Sequence, residues 1–220
     1  MLFHIVPANL HTIENTDTLH NLMQRYIARI EVLSNLTAQG SIHAHPTVRW
    51  TSSIGQAPWL LVMRQDSFQI DHIEFERRMT LLSWHHVLFN KSVTLQREAD
   101  KAAIDRNEVL RETLSKDSLV NLKRACSVAE YLHRMSSRWE PDYNLYYHGP
   151  EILEPFLRAL RFMSEGHLQQ VSVRNAARLK KEGAKNTKLI VKLLNRAAEV
   201  YGEAEAAILS LDISRWKKYI

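Results

Sequence analysis

The sequence predicts an all-α fold: a helical bundle of about six helices with a minor N-terminal two-stranded β element. Three observations lead there. Glycine and proline number only 6 each in 220 residues, too few for the many turns of an all-β chain. Apolar residues recur at three- and four-residue steps through most of the chain, which is the period of a helix with one buried face. The hydrophobic share is 45% and the charged share 24%, enough apolar surface to build a core and unlike a disordered segment. The chain reads as one helical domain over 1–220; the places where it would divide are near residue 115 and over 141–150.

The elements follow in order. A first helix is predicted over Thr18–Ala38, with Asp17 as N-cap and Gly40 just beyond the end. Leu19, Leu22, Met23, Tyr26, Ile27, Ile30 and Leu33 form its apolar face. Proline, glycine and serine then break the pattern between Gly40 and Pro58. The run Trp59–Arg64 reads as a short buried strand, with Leu2–Val6 as its partner. Ser67 is placed as cap of a second helix, Phe68 to about Asn90. Ser92–Leu114 has few large apolar residues and alternating charges, so it is expected to project from the body and to meet a partner along a thin seam. Lys116–Ser118 restarts the chain, and Leu119, Leu122, Ala125, Ala129, Leu132 and Met135 make the next stripe. Arg138–Glu151 reads as a loop. Pro150 suits the first turn of a helix ending near Gly166, and Pro155 would delay or kink that start. The remainder, Leu168–Leu211, is helical by propensity, with Gly183 and Gly202 as weak points.

The single cysteine, Cys126, excludes an intramolecular disulfide and a cysteine-built zinc site within one chain, and it fits a reducing, cytoplasmic setting. The N-terminus lacks the basic region of a signal peptide. The longest apolar run, Trp59–Met63, is too short to span a bilayer, so no membrane insertion is expected.

Charge is concentrated in one place. Arg174–Arg196 holds eight cations and one acid, so it carries +7; with +5 over the whole chain, the rest carries −2. Arg174, Arg178, Lys181, Lys185, Lys188, Lys192 and Arg196 would lie along one face of a continuous helix, with Val173, Ala177, Ala184, Val191, Leu194, Ala198 and Tyr201 on another. A row of cations suits a phosphate backbone and gives affinity without base specificity. The same residues would suit an acidic protein partner or a solvated face. The row needs continuity, and Gly183 with the residues after it would instead give two helices joined by a turn.

Trp139, Tyr143, Tyr146 and Tyr147 crowd the 138–151 loop and are the candidate partner-binding residues. They could equally stack bases or fold inward to close a gap between helices. The 11 histidines raise the question of metal. His43/His45 and His85/His86 are pairs only, and Glu130/His133 is a single copy of a Glu-x-x-His spacing that di-iron bundles use twice, so no metal and no cofactor are expected. Arg78–His85 and Arg161–His167 resemble helical HEPN-type ribonucleases in the spacing of arginine to histidine. Two such spacings are what chance supplies among 18 Arg and 11 His, and neither arginine is followed by the polar residue usual in that family.

The function expected is a non-catalytic, accessory subunit of a larger assembly. It would bind RNA or DNA backbone through the basic C-terminal helix and contact other protein subunits. The alternative is a protein–protein adaptor with no nucleic-acid contact, and a HEPN-like ribonuclease comes third.

Overall fold

Small residues run through the most extensive helix–helix contact among the described residues. The computed structural model describes residues 13–41, 48–51, 67–70, 73–136, 152–178 and 185–210, and the side chains of 17–41, 73–136, 152–177 and 187–210. These residues form five helices and one ribbon: α1 (Ile13–Ala38), β1 (Val48–Thr51), β2 (Ser67–Ile70), α2 (Ile73–Ile104), α3 (Glu108–Ser136), α4 (Glu154–Arg178) and α5 (Lys185–Leu209). Each helix packs against the next in the chain. Cross-helix contacts give the directions: Ser92 meets Ser118, His133 meets Glu154 and Arg196 meets Glu165. Successive helices are therefore antiparallel, and between α2 and α3 the short connection requires it.

α2 runs unbroken through Ser92, where the sequence pattern predicts a new helix. Its second half does not project. Ser92, Leu95, Gln96, Ala99 and Ala102 are all buried against α3. Few large apolar residues are needed there because the two backbones approach closely. Ser118 Oγ donates to the Ser92 carbonyl at 3.0 Å, so the Ser92 hydroxyl is the donor in the 3.0 Å Ser92–Ser118 contact. The supposed restart at Lys116–Ser118 is thus the interior of α3.

The break lies instead at Asp105–Asn107. Asn107 N–H bonds to Ala102 O at 2.9 Å and Arg106 N–H to Ala103 O at 3.2 Å, which is a Schellman end for α2. The residue that must turn left-handed there is Arg106, at φ 57°. Asn107 then caps α3, its Oδ1 accepting from Leu110 N–H at 3.1 Å. Gly40, at φ 69°, closes α1 in the same way, with Ser41 N–H bonded to Leu36 O and Gly40 N–H to Thr37 O. α1 begins at Ile13, so Asp17 is not its cap; Asp17 lies within the first half of the helix and ion-pairs with Lys91.

Ser67–Ile70 is a strand rather than the start of a helix, because Phe68 and Ile70 alternate with two polar residues. It pairs antiparallel with Val48–Thr51, Val48 opposite Ile70 and Thr51 opposite Ser67. The expected pairing of Leu2–Val6 with Trp59–Arg64 lies outside the described residues.

The main core is shared by α2, α3 and the start of α4: Phe75, Met79, Leu82, Leu88, Ala125, Leu132, Ile152 and Leu157, with Ile27 of α1 at its edge. Pro155 falls in the first turn of α4, where its missing N–H costs nothing, and the helix starts after Pro150, as a delayed start requires. α4 continues past Gly166. A Cβ at Gly166 would lie 2.8–3.0 Å from three atoms of the Tyr201 ring, so this glycine is the seat for Tyr201 of α5. α5 buries Ala197, Val200, Ala204 and Ala207, a three-four-three seam against α4. Val191, Leu194 and Ala198, expected on its apolar face, are exposed.

Two stability outcomes follow. Arg106→Gly removes left-handed strain of roughly 1 kcal/mol, offset in part by the added freedom of the unfolded chain, so thermal melting should show a gain of about 0.5 kcal/mol. Gly166→Ala gains about 1 kcal/mol of helix propensity but overpacks Tyr201 at a cost of about 1–3 kcal/mol. The single change should lower the melting temperature, and the same change made in a Tyr201→Ala background should raise it.

Candidate nucleic-acid interface at the α4–α5 tip

The cationic segment is divided between two helices. α4 ends at Arg178 and α5 begins at Lys185, and the two then run antiparallel. A single row along one helix is therefore replaced by a hairpin. Arg174 and Arg178 occupy the last turns of α4, and Lys185, Lys188 and Lys192 the first turns of α5. The fold brings both ends of the segment to one tip, and Arg174–Lys192 holds seven cations and one acid. Lys181 lies outside the described residues, as do the side chains of Arg178 and Lys185.

The described members differ in what they touch. Arg196 is committed to the fold: its Nη2 and Nε donate to Glu165 Oε1 at 2.8 and 3.0 Å, and its Nη1 to Glu199 at 3.4 Å. Those carboxylates raise the Arg196 pKa. Arg174, Lys188 and Lys192 are exposed and form no ion pair among the described residues. The sequence pattern does not separate Arg196 from the others, because its acidic partner is 31 residues away on another helix.

Local electrostatics gives these lysines no role in folding. A helix N-terminus favours acids by about 0.3–1 kcal/mol and disfavours cations by a similar amount. α5 has no acid in its first turn, and Lys185 and Lys188 stand there. Lys188–Lys192 is also a like-charge pair at i,i+4, destabilising by roughly 0.2–0.5 kcal/mol. The α5 N-terminal dipole and the lysines there have the same sign, an arrangement that suits phosphate oxygens.

The other candidate residues sort plainly. Trp139, Tyr143, Tyr146 and Tyr147 lie outside the described residues, as do His43 and His45. Among the described residues, no three His, Cys, Asp or Glu side chains converge as metal ligands do. Glu130 pairs with Arg134 and Arg161, and His133 bonds to Glu154 at 3.1 Å. Arg78 and His85 face different neighbours: Arg78 donates to Met135 O at 3.1 Å, and His85 Nε2 lies 2.8 Å from Ser164 Oγ. Arg161 meets Glu130 on α3, whereas His167 packs on Phe89 of α2. Neither Arg/His spacing forms a joint site, so the ribonuclease reading gains no support. Burial raises the Cys126 thiol to about 12, with Glu165 adding to the effect, so it is not a nucleophile.

His85 is 2% exposed, and burial lowers its pKa to about 3, with His86 contributing. Ser164 donates its hydroxyl proton to Leu160 O at 2.8 Å, so it accepts from His85 Nε2–H, and the imidazole is neutral.

No protein-family model matches this chain, and no curated protein or solved structure matches it either. No helix among the described residues is long and apolar enough to cross a membrane.

The histidines generate a pH outcome. The folded-state pKa of His85 is depressed, so the unfolded chain binds the extra proton between about 6.5 and about 3. Stability is full above 6.5 and falls as the pH drops through that window, by up to about 1.4 kcal/mol per pH unit for one proton. Burial lowers His20 and His167 as well, so their contributions have the same sign. Urea denaturation at pH 7 and pH 5 should show this loss. His85→Leu should flatten it while leaving Ser164 bonded to Leu160.

Proposed function

We propose that the chain is a non-catalytic helical subunit that binds the backbone of RNA or DNA through the α4–α5 tip. The observation that carries this reading is a set of exposed cations with no ion pair among the described residues, Arg174, Lys188 and Lys192, of which Lys188 stands in the first turn of α5, where a cation opposes the helix dipole. Arg178 and Lys185 belong to the same tip as the last residue of α4 and the first of α5, and Lys181 lies between them in the sequence. Phosphate contacts of this kind position a protein on a nucleic acid without reading sequence. Binding is sequence-tolerant and strongly salt-dependent. Arg196 is not part of the contact surface in this reading, because Glu165 and Glu199 hold it. A cytoplasmic location, with other protein subunits bound, fits the single unreactive cysteine and the exposed apolar residues. An adaptor role without nucleic acid is the second reading, and it draws on a different surface.

Titration of a fluorescent oligonucleotide into the purified protein tests the proposal. Lys188→Glu together with Lys192→Glu should weaken binding alike for all sequences. Each lost contact should flatten the slope of log affinity against log salt by about 0.9 for duplex or about 0.7 for single strands. Lys188→Glu alone should also raise the melting temperature, since it places an acid in the first turn of α5, a gain of about 0.3–1 kcal/mol. Binding that is undetectable at low salt, or unchanged in the double variant, overturns the proposal.

A further inference from the structure

A shallow groove of about 360 Å³ lies between α2 and α3, lined by Leu81, Trp84, Lys123, Arg124, Ser127, Val128 and Tyr131. Its floor is apolar, from Leu81, Trp84 and Val128. Its α3 wall follows the helix at three- and four-residue steps, and Val120, 47% exposed, continues it one turn beyond Arg124. Tyr131 is 39% exposed, although its hydroxyl accepts from Arg77 and its ring lies beside the Arg77 guanidinium.

The two ends of the groove differ in charge. At the Tyr131 end, Arg77 is balanced by Glu31 at 2.7 Å and Glu74 at 3.2 Å. At the other end, Lys123 and Arg124 are exposed and form no ion pair among the described residues. Positive charge accumulates there. Lys91 is paired with Asp17, and after burial it is Lys91 and Arg124 that hold the nearby His20 below its ordinary pKa. His20 itself is occupied by the Trp84 indole N–H, at 3.2 Å to Nδ1, which fixes the Trp84 ring as part of the floor.

We infer that this groove docks an acidic amphipathic helix of a partner protein. Its apolar residues would cover Leu81, Trp84 and Val128, and its carboxylates would reach Lys123 and Arg124. The geometry is that of a helix laid in an apolar groove between two others. Charge selects the partner: among the described residues, the charged side chains on the rim that form no ion pair are the cations Lys123 and Arg124. A nucleobase fits this floor poorly, because the hydroxyl of Ser127 is the only neutral polar side-chain group in the lining other than those of Trp84 and Tyr131, and both of these are already bonded to His20 and Arg77. This inference is independent of the nucleic-acid reading, which uses α4 and α5.

The test uses the full chain and a synthetic helical peptide with leucines at i, i+3, i+4 and i+7 and glutamates elsewhere. Binding is followed by fluorescence anisotropy and by the Trp84 indole resonance in NMR spectra. Saturable binding that shifts Trp84 is expected. It should weaken by about tenfold or more in Lys123→Glu/Arg124→Glu, the loss typical of a removed charge pair. Tyr131→Ala should weaken it too, and Lys188→Glu/Lys192→Glu should not. Unchanged melting temperature of the Lys123/Arg124 variant confirms that folding is intact, as exposed positions predict. The inference is overturned if the same peptide with lysine in place of glutamate binds equally well. It is likewise overturned if the glutamate peptide does not bind, if binding is lost through the α5 variant instead, or if an oligonucleotide or a second copy of the chain shifts Trp84 in its place.

Discussion

Ser92 and Ser118 have no solvent exposure, and their hydroxyls join the backbone of α2 to that of α3. Larger side chains at either position would force the helices apart. With Ala99, Ala102, Ala125 and Ala129 also buried, the pair forms a long, closely spaced spine. Everything else is added to that spine. α4 lies against α3 and closes the core with Ile152 and Leu157, α5 lies on α4, and α1 lies on α2. A polar spine of this kind is stable because both hydroxyls are satisfied within it, and a half-satisfied version would be worse than an apolar one.

α1 is attached by a different chemistry. Among its described large apolar side chains, Met23 and Ile30 are buried, and Leu22, Val32 and Leu33 remain exposed. Beside Ile27 at the core edge, its contacts with α2 include a polar set: Tyr26 with Glu76, Ser34 with Glu74, Glu31 with Arg77, and Asp17 with Lys91. Glu76 is 3% exposed, and its carboxylate raises the Tyr26 pKa beyond what burial alone does. Hydrogen bonds and ion pairs set register well but add little net stability each, about 0.5–1.5 kcal/mol for a neutral bond. α1 therefore contributes positioning more than core burial. One result of that positioning is that His20 holds Trp84 at the groove floor.

Much of this was legible in the sequence, and the failures have identifiable causes. The all-helical character, the Gly40 stop and the Leu122–Leu132 stripe follow from periodicity and turn chemistry alone. The α2–α3 boundary does not. A non-glycine residue, Arg106, makes the left-handed turn there, while Ser92 and Ser118, at the expected start and restart, are interior contacts. The second half of α2 lacks large apolar residues for the same reason that it packs closely, so composition points outward where the structure points inward. Gly166 reads as a terminator, but its role is to admit Tyr201 from a helix that the sequence does not place beside it. The basic segment was legible as a concentration of charge. Its shape was not, since that depends on whether the chain bends between Arg178 and Lys185.

That bend separates the requirements of folding from those of the surface. On α5, Ala197, Val200, Ala204 and Ala207 form the seam with α4, and Arg196 at its edge is neutralised by Glu165. Residues from Arg196 onward serve the fold. Residues before it carry exposed lysines, a helix N-terminus without acids, and two leucines and a valine, Leu189, Val191 and Leu194, each about half exposed. Each of those features costs helix stability or solubility when it stands alone, and the seam beyond it is what keeps α5 helical. A surface of this kind gains from a ligand that supplies the missing negative charge. A bound phosphate backbone would relieve the repulsion between Lys188 and Lys192 and complement the helix dipole at once. Binding and helix stability at the tip would then be coupled through the same few charges.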